Sequence, residues 1–325
     1  MAKKKITRTV QFWRLVDSQT GLPASQTINW HAVFNANSFK PFPLTIEGRA
    51  HTGTVRLLSQ PVIDELQQNF PLTQIPAPGS ASYGVVLAAD KDYIPNQHNQ
   101  SSGAQQPVGV AKGWAPVDNL FVWHLPFGDM IAVLAESQSS SRAGRYASWI
   151  TAFLKSNGVI KNPDFHFIAA PVIDSARAKK LKNAKGLKAF TFGGDFGKNV
   201  ANATGIDSVV AGPKNYDAIR IKIEAKVVSN KGSVADEGEL LQWFDTVFGQ
   251  LAAPTDGQPT TAKVKMVDGA GATTEVDLIK HRMTRKRTLP LEQTSDNVKV
   301  IEENNAFLAL VAAANQDMQE LYTLR

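Results

Sequence analysis

Ala218-Ile219-Arg220-Ile221-Lys222-Ile223-Glu224-Ala225-Lys226-Val227 alternates without a break from Ile219 onward. Successive side chains of a strand project to opposite faces, so Ile219, Ile221, Ile223, Ala225 and Val227 share one face. Arg220, Lys222, Glu224 and Lys226 occupy the other. This is the strongest strand signal in the chain, and it describes a strand buried on one side only.

The segments around it vary in type. Downstream, Leu240, Leu241, Phe244, Val247 and Phe248 give residues 237–250 an amphipathic helix. A hairpin follows, with Val264, Met266, Val276 and Leu278 facing one way across Asp268-Gly269-Ala270-Gly271. Residues 280–289 read as a basic strand. A final helix over 304–324 carries Phe307, Leu308, Leu310, Val311, Met318 and Leu321 as its apolar face. Upstream, residues 187–192 read as a strand, with a short helix over 196–203 ended by Gly205. Asp174 or Ser175 can cap a helix that runs to Lys185 and closes at Gly186. Strands are expected at 165–173, 130–135, 120–125 and 83–89, and helices at 142–157 and 61–70. The first 60 residues read as strands, at 9–16 and 51–58, with a turn at Thr20-Gly21-Leu22-Pro23.

Strands and helices mix without regular alternation, which predicts an α+β fold. Its expected form is mixed or antiparallel sheets with packed helices, ending in a C-terminal β-hairpin and a long helix. No unit of about 20–50 residues repeats, which excludes solenoids and propellers. Residues 92–113, with Pro95-Asn96-Gln97-His98-Asn99-Gln100-Ser101-Ser102-Gly103, offer almost nothing to bury and read as a polar loop. Three domains are expected: a β-rich unit over 1–115 ending in that loop, an α+β unit over 116–253, and the hairpin and helix over 254–325, packed on the first.

The chain has 325 residues, 35 of them Lys or Arg and 29 Asp or Glu, for a net charge of +6. With 43 % hydrophobic and 20 % charged residues, its composition is that of a folded protein and not a disordered one. It has no cysteine, which removes disulfides, thiolate zinc sites, iron–sulfur clusters and a Cys nucleophile. The longest apolar run, 306–314, is far short of the ~20 residues of a membrane helix. Polar Thr7, Arg8, Thr9 and Gln11 follow Lys3-Lys4-Lys5 where a signal peptide would be apolar. A soluble, cytoplasmic protein with no direct membrane insertion is expected.

The basic residues are clustered. Arg177, Lys179, Lys180, Lys182, Lys185 and Lys188 fall together with no acid among them. Lys280, His281, Arg282, Arg285, Lys286 and Arg287 form a second run, and Lys3, Lys4, Lys5 and Arg8 a third. Crowded like charges cost stability unless an anionic partner compensates, and phosphate is the usual one. Any single run reads equally as a solvated face. Three of them in a basic chain point to nucleic acid, with Arg177, Lys179, Lys180, Lys182, Lys185, Lys188, Lys280, Arg282, Arg285, Lys286 and Arg287 as contact residues. There is no Cys/His finger, heptad zipper or RNP-type strand, so contacts to phosphate with little sequence preference are expected.

Catalytic signals are weak. Gly193-Gly194-Asp195-Phe196-Gly197-Lys198 has the wrong glycine spacing for a Walker loop and places Asn199 where Ser or Thr would hold magnesium; a strand-end turn into a helix explains it better. Pro163-Asp164 with Glu224-Ala225-Lys226 matches the PD…ExK form of metal-dependent nucleases, across a long gap. The six histidines lack metal-ligand spacing, and no Gly-x-Ser-x-Gly elbow occurs. Neither a cofactor nor a metal is indicated.

Several elements in order resemble the RexA-like phage-exclusion family of DNA-binding prophage defence proteins. These are Val10-Gln11-Phe12-Trp13-Arg14, Asn119-Leu120-Phe121-Val122, Ile131-Ala132-Val133-Leu134, Asp164-Phe165-His166-Phe167-Ile168-Ala169 and Ile221-Lys222-Ile223-Glu224-Ala225-Lys226, then the hairpin and long helix. The resemblance covers about two-thirds of the chain as an order of elements. It implies a non-enzymatic homodimer that binds double-stranded DNA with little sequence preference and signals to a membrane-embedded effector. The leading expectation is therefore a cytoplasmic anti-phage sensor. The alternatives are a metal-dependent nuclease or toxic effector using Asp164, Glu224 and Lys226, and an assembly protein whose basic runs bind a protein partner.

Overall fold

Lys5–Asp17 (β1) buries residues on both faces, with Val10 and Phe12 enclosed on one side and Leu15 on the other. A strand that is apolar on both sides belongs inside a layered sheet. The computed structural model describes residues 4–17, 28–46, 48–69, 81–91, 96–98, 105–107, 110, 114–127, 129–137, 140, 142–172, 184–197, 218–227, 237–242, 258–267, 273–277, 283–293 and 299–324.

The other strands of the large sheet are Pro41–Ile46 (β2), Arg49–Leu57 (β3), Tyr83–Asp90 (β4), Val117–His124 (β7), Met130–Ala135 (β8), Phe167–Pro171 (β9) and Thr284–Pro290 (β14). Between them in the chain lie Asn96–His98 (β5) and Gln105–Pro107 (β6), which pair with each other. The large sheet runs β14-β1-β8-β7-β4-β3-β2, and β9 continues the β14 edge along the second half of β1. Each pair of named strands is antiparallel, in a curled α+β arrangement.

Helices cover both faces. Gln60–Asn69 (α2), Glu303–Asn315 (α5) and Met318–Thr323 (α6) pack with Phe12, Phe121, Trp123, Ala132 and Leu134. Trp30–Asn37 (α1) and Ala143–Ser156 (α3) pack with Leu15, Val85, Leu87, Val122, Ile131 and Val133 on the other side. A further helical segment, 237–242, is α4. Two glycines set how closely helices approach the sheet. A Cβ on Gly84 would lie 2.2 Å from Cε1 of Phe307 in α5, and one on Gly53 would lie 2.1 Å from the Trp149 ring in α3.

Gly186–Gly197 (β10), Ala218–Lys226 (β11), Gln258–Val267 (β12) and Thr273–Asp277 (β13) form a second antiparallel sheet in the order β11-β10-β12-β13. Glu292–Gln293 (β15) and Lys299–Val300 (β16) pair before α5.

The hairpin followed by C-terminal helices is present as expected, although the last helix breaks at Gln316 and Asp317 and leaves Leu308 36 % exposed. The large sheet takes strands from either side of 115/116 and of 253/254, since β4 pairs with β7 and β1 with β14. Gly193-Gly194 does not end a strand. It lies within β10, where the register to β12 shifts, and Phe196 extends that strand instead of starting a helix. The extra residue there is Thr260 of β12, so the two glycines run through the strand opposite an irregularity, and the same two letters read as a turn in sequence. The expected helix after Asp174 falls mostly outside the described residues, as do the ends of the 237–250 helix and of the hairpin. Among the described residues no helix is long and apolar enough to cross a membrane.

His51 is fully enclosed in β3, and burial pushes its imidazole below the usual value, outweighing the hydrogen bond to the Arg49 carbonyl and the Asp90 charge. The unfolded chain therefore takes up a proton here before the folded one does. Stability should be complete above about pH 6.5 and fall as the pH drops below it. Urea midpoints from pH 7.5 to 5 check this, and His51→Gln should flatten the dependence.

Candidate nucleic-acid interface

In β11 Lys222, Glu224 and Lys226 are exposed and Ala225, like Val227 just after it, is partly buried, and in β12 Lys263 and Lys265 are exposed while Val264 and Met266 are buried. Residues directly opposite on antiparallel strands share a face. β10 lies between the two strands, with Ala189 opposite both Lys226 and Lys265, Thr191 opposite Glu224 and Lys263, and Gly193 opposite Lys222 and Thr261. Four lysines thus flank a central strand of small residues. Adjacent strands are about 4.8 Å apart, so the flanking strands stand roughly 10 Å apart. Acids moderate this face: Lys222 Nζ lies 3.2 Å from Glu224 Oε2, and Glu275 stands opposite Lys265. Lys185 and Lys188, at the start of β10, are also exposed.

The contact residues expected from sequence separate into groups. Arg177, Lys179, Lys180, Lys182, Lys280 and Arg282 lie outside the described residues. Lys185 and Lys188 stay with the small sheet. Arg285 and Arg287 turn to the C-terminal helices, alongside buried Leu289. The Arg285 guanidinium is 2.5 Å from Asp317 Oδ1, and Arg287 Nη2 donates to the Ala312 carbonyl at 2.6 Å. Lys286, between them, is exposed on the opposite face. There it stands opposite Thr9, with Lys5, Thr7 and Gln11 along the same face of β1, so strand pairing joins part of the second basic run to the first residues of the chain.

Arg285 thus acts as a strut between β14 and α6. Arg285→Gln should lower unfolding free energy by about 1–3 kcal/mol, because Asp317 is left nearly buried without its cation. DNA affinity should not change; urea unfolding and a gel shift on the same variant separate the two effects.

Asp164 and Glu224 sit on different sheets' surroundings. Asp164 is exposed in the connection between α3 and β9 of the large sheet, and Glu224 is on β11 paired with Lys222. Among the described residues no three His, Asp or Glu side chains are grouped to hold a metal ion. His124 is buried, with Nε2 2.5 Å from the Tyr146 hydroxyl in a core hydrogen bond, and burial pushes the ionisation of that phenol well up.

Lys263 and Lys265 were absent from the expected site. Their signal is the Lys263-Val264-Lys265-Met266 alternation, in which the apolar residues define the hairpin and the lysines its solvent side. Compared with protein-family models and with curated proteins, the chain finds no match in either.

Proposed function

We propose that this protein binds duplex DNA with little sequence preference through the exposed lysine face of the small sheet. The observation that supports this reading is the placement of Lys222, Lys226, Lys263 and Lys265 around the low central strand β10. Lysine is a compact charge on a flexible stem, suited to phosphate and poor at discriminating base edges. Phosphate contacts made this way release counterions, and affinity then depends on salt more than on sequence.

A gel shift on unrelated duplexes over a range of salt, with and without magnesium, tests the proposal. Similar affinity for all duplexes with a steep loss at higher salt supports it, and equal affinity at low and high salt overturns it. Magnesium-dependent cleavage would put the nuclease reading in its place.

The biological setting is proposed on the resemblance to the RexA-like family alone: a cytoplasmic anti-phage sensor, acting as a dimer and signalling to a membrane-embedded effector. Plaque counts on cells carrying the parent or a lysine-face variant test that step. Equal counts with and without the parent protein would sink it.

A further inference from the structure

The large sheet carries an exposed polar face of its own. Residues of one parity along β1 are Lys5, Thr7, Thr9, Gln11, Trp13 and Leu15. The last two are buried with α1 and α3, Gln11 is half-buried, and Lys5, Thr7 and Thr9 are exposed. The helix layer therefore ends within the strand and leaves open the corner of the sheet formed by the first half of β1 and by β14. Opposite Lys5, Thr7, Thr9 and Gln11 stand Pro290, Thr288, Lys286 and Thr284, of which Thr288 and Lys286 are exposed. None of these residues is acidic, whereas Glu224 and Glu275 stand among the lysines of the small sheet. The Thr7 and Thr288 hydroxyls are 3.3 Å apart, so one donates to the other, which keeps its own proton for a further acceptor. From behind, Arg285 on Asp317 and Arg287 on the Ala312 carbonyl fasten β14 to the C-terminal helices and hold the row in place.

We propose that this corner of the large sheet is a second phosphate-binding surface for duplex DNA, separate from the lysine face of the small sheet. It rests on the DNA-binding reading and extends it to a residue set on the other sheet. Lysine ammoniums and threonine hydroxyls are both donors that proteins use on phosphate oxygens. Side chains two apart on a strand recur about every 6.6 Å, so Lys5, Thr7 and the Thr9–Lys286 pair form a row of donors at even steps. Those steps are close to the spacing of successive phosphates along one DNA strand. The face is flat and two strands wide, which suits a backbone lying across it. A second copy of the same face would set Lys5 and Lys286 against cations. Threonine also explains how the corner keeps its strands without a helix over it, since its β-branched side chain favours the extended backbone while its hydroxyl stays wet.

Two measurements on the full-length protein test this. In the first, Lys5→Gln with Lys286→Gln should flatten the slope of log affinity against log salt by about 1–1.8, since each lost phosphate contact removes about 0.9. Lys40→Gln with Lys161→Gln, which neutralises two exposed lysines elsewhere, is the charge-matched control and should leave the slope unchanged. Thermal melts check that both variants are folded. The second uses the parent protein and so decides the matter should a variant fail to fold. Acetylation at low salt, followed by mass spectrometry, should show Lys5 and Lys286 reacting several-fold more slowly with a random duplex present, while Lys40 and Lys161 react as before. An unchanged slope in the folded Lys5, Lys286 variant, an equal change in the control, or no protection of Lys5 and Lys286 by the duplex overturns the proposal. So does protection by polyglutamate equal to that by DNA, which would mark a surface for acidic protein instead. A parent that binds duplex while any of these results holds loses this surface alone. A parent that binds no duplex at any salt loses the DNA-binding reading itself, and this surface with it.

Discussion

Gly84→Ala is expected to lower the unfolding free energy by about 1–3 kcal/mol, as overpacking of a well-filled core does. The added methyl would fall 2.2 Å from Cε1 and 2.5 Å from Cζ of Phe307. That ring is 1 % exposed and makes an edge contact with Phe121 at 6.0 Å between centroids, so it has nowhere to move. The clash must be relieved by lifting α5 from the sheet or bending β4. Phe307→Leu removes the ring edge and should cost stability alone, yet in the double variant the two losses should not add. The coupling between residues in such contact is typically about 0.5–3 kcal/mol. Urea unfolding of the parent, both single variants and the double variant gives this number directly. Simple additivity would mean that Gly84 is not the seat of Phe307.

The second large effect concerns binding. Changing Lys222, Lys226, Lys263 and Lys265 together to Gln should reduce DNA affinity at least tenfold at low salt. Each lost phosphate contact should also flatten the slope of log affinity against log salt by about 0.9, or up to about 3.6 for all four. Gln is a better probe than Glu here. Glu at position 265 would stand opposite Glu275 and Glu at 263 opposite Asp277, adding repulsion within the sheet itself. Exposed neutral substitutions typically shift stability by no more than about 0.5 kcal/mol each, so folding should survive. An unchanged salt slope in the folded variant would remove the lysine face from the interface.

The sequence makes element faces legible and leaves their partners hidden. In β11 the isoleucines and charged residues alternate so strictly that the exposed face is readable before any fold is known. The end of α3 is equally local, since Gly158 takes a φ of +68° that few other residues adopt. The separation of Arg285 and Arg287 from Lys286 also has a local trace: Leu289 has the parity of the two arginines, and buried Leu289 draws their face inward. A count of basic residues loses that parity. α1 is hidden by its aromatic and β-branched content, Trp30, Val33 and Phe34, although Asn29 accepts a capping hydrogen bond from the Ala32 amide.

The pairing of β1 with β14 bears on how the chain comes to be folded. Lys5 is paired in register with Pro290, so an edge of the first strand stays unclosed until β14 has been synthesised. At synthesis rates of about 5–20 residues per second, that wait is on the order of tens of seconds. Throughout it, the first half of β1 has no partner on that side, a condition in which strands recruit foreign strands. Lys4 and Lys5 stand exposed at its start, and their charge opposes such pairing until β14 arrives.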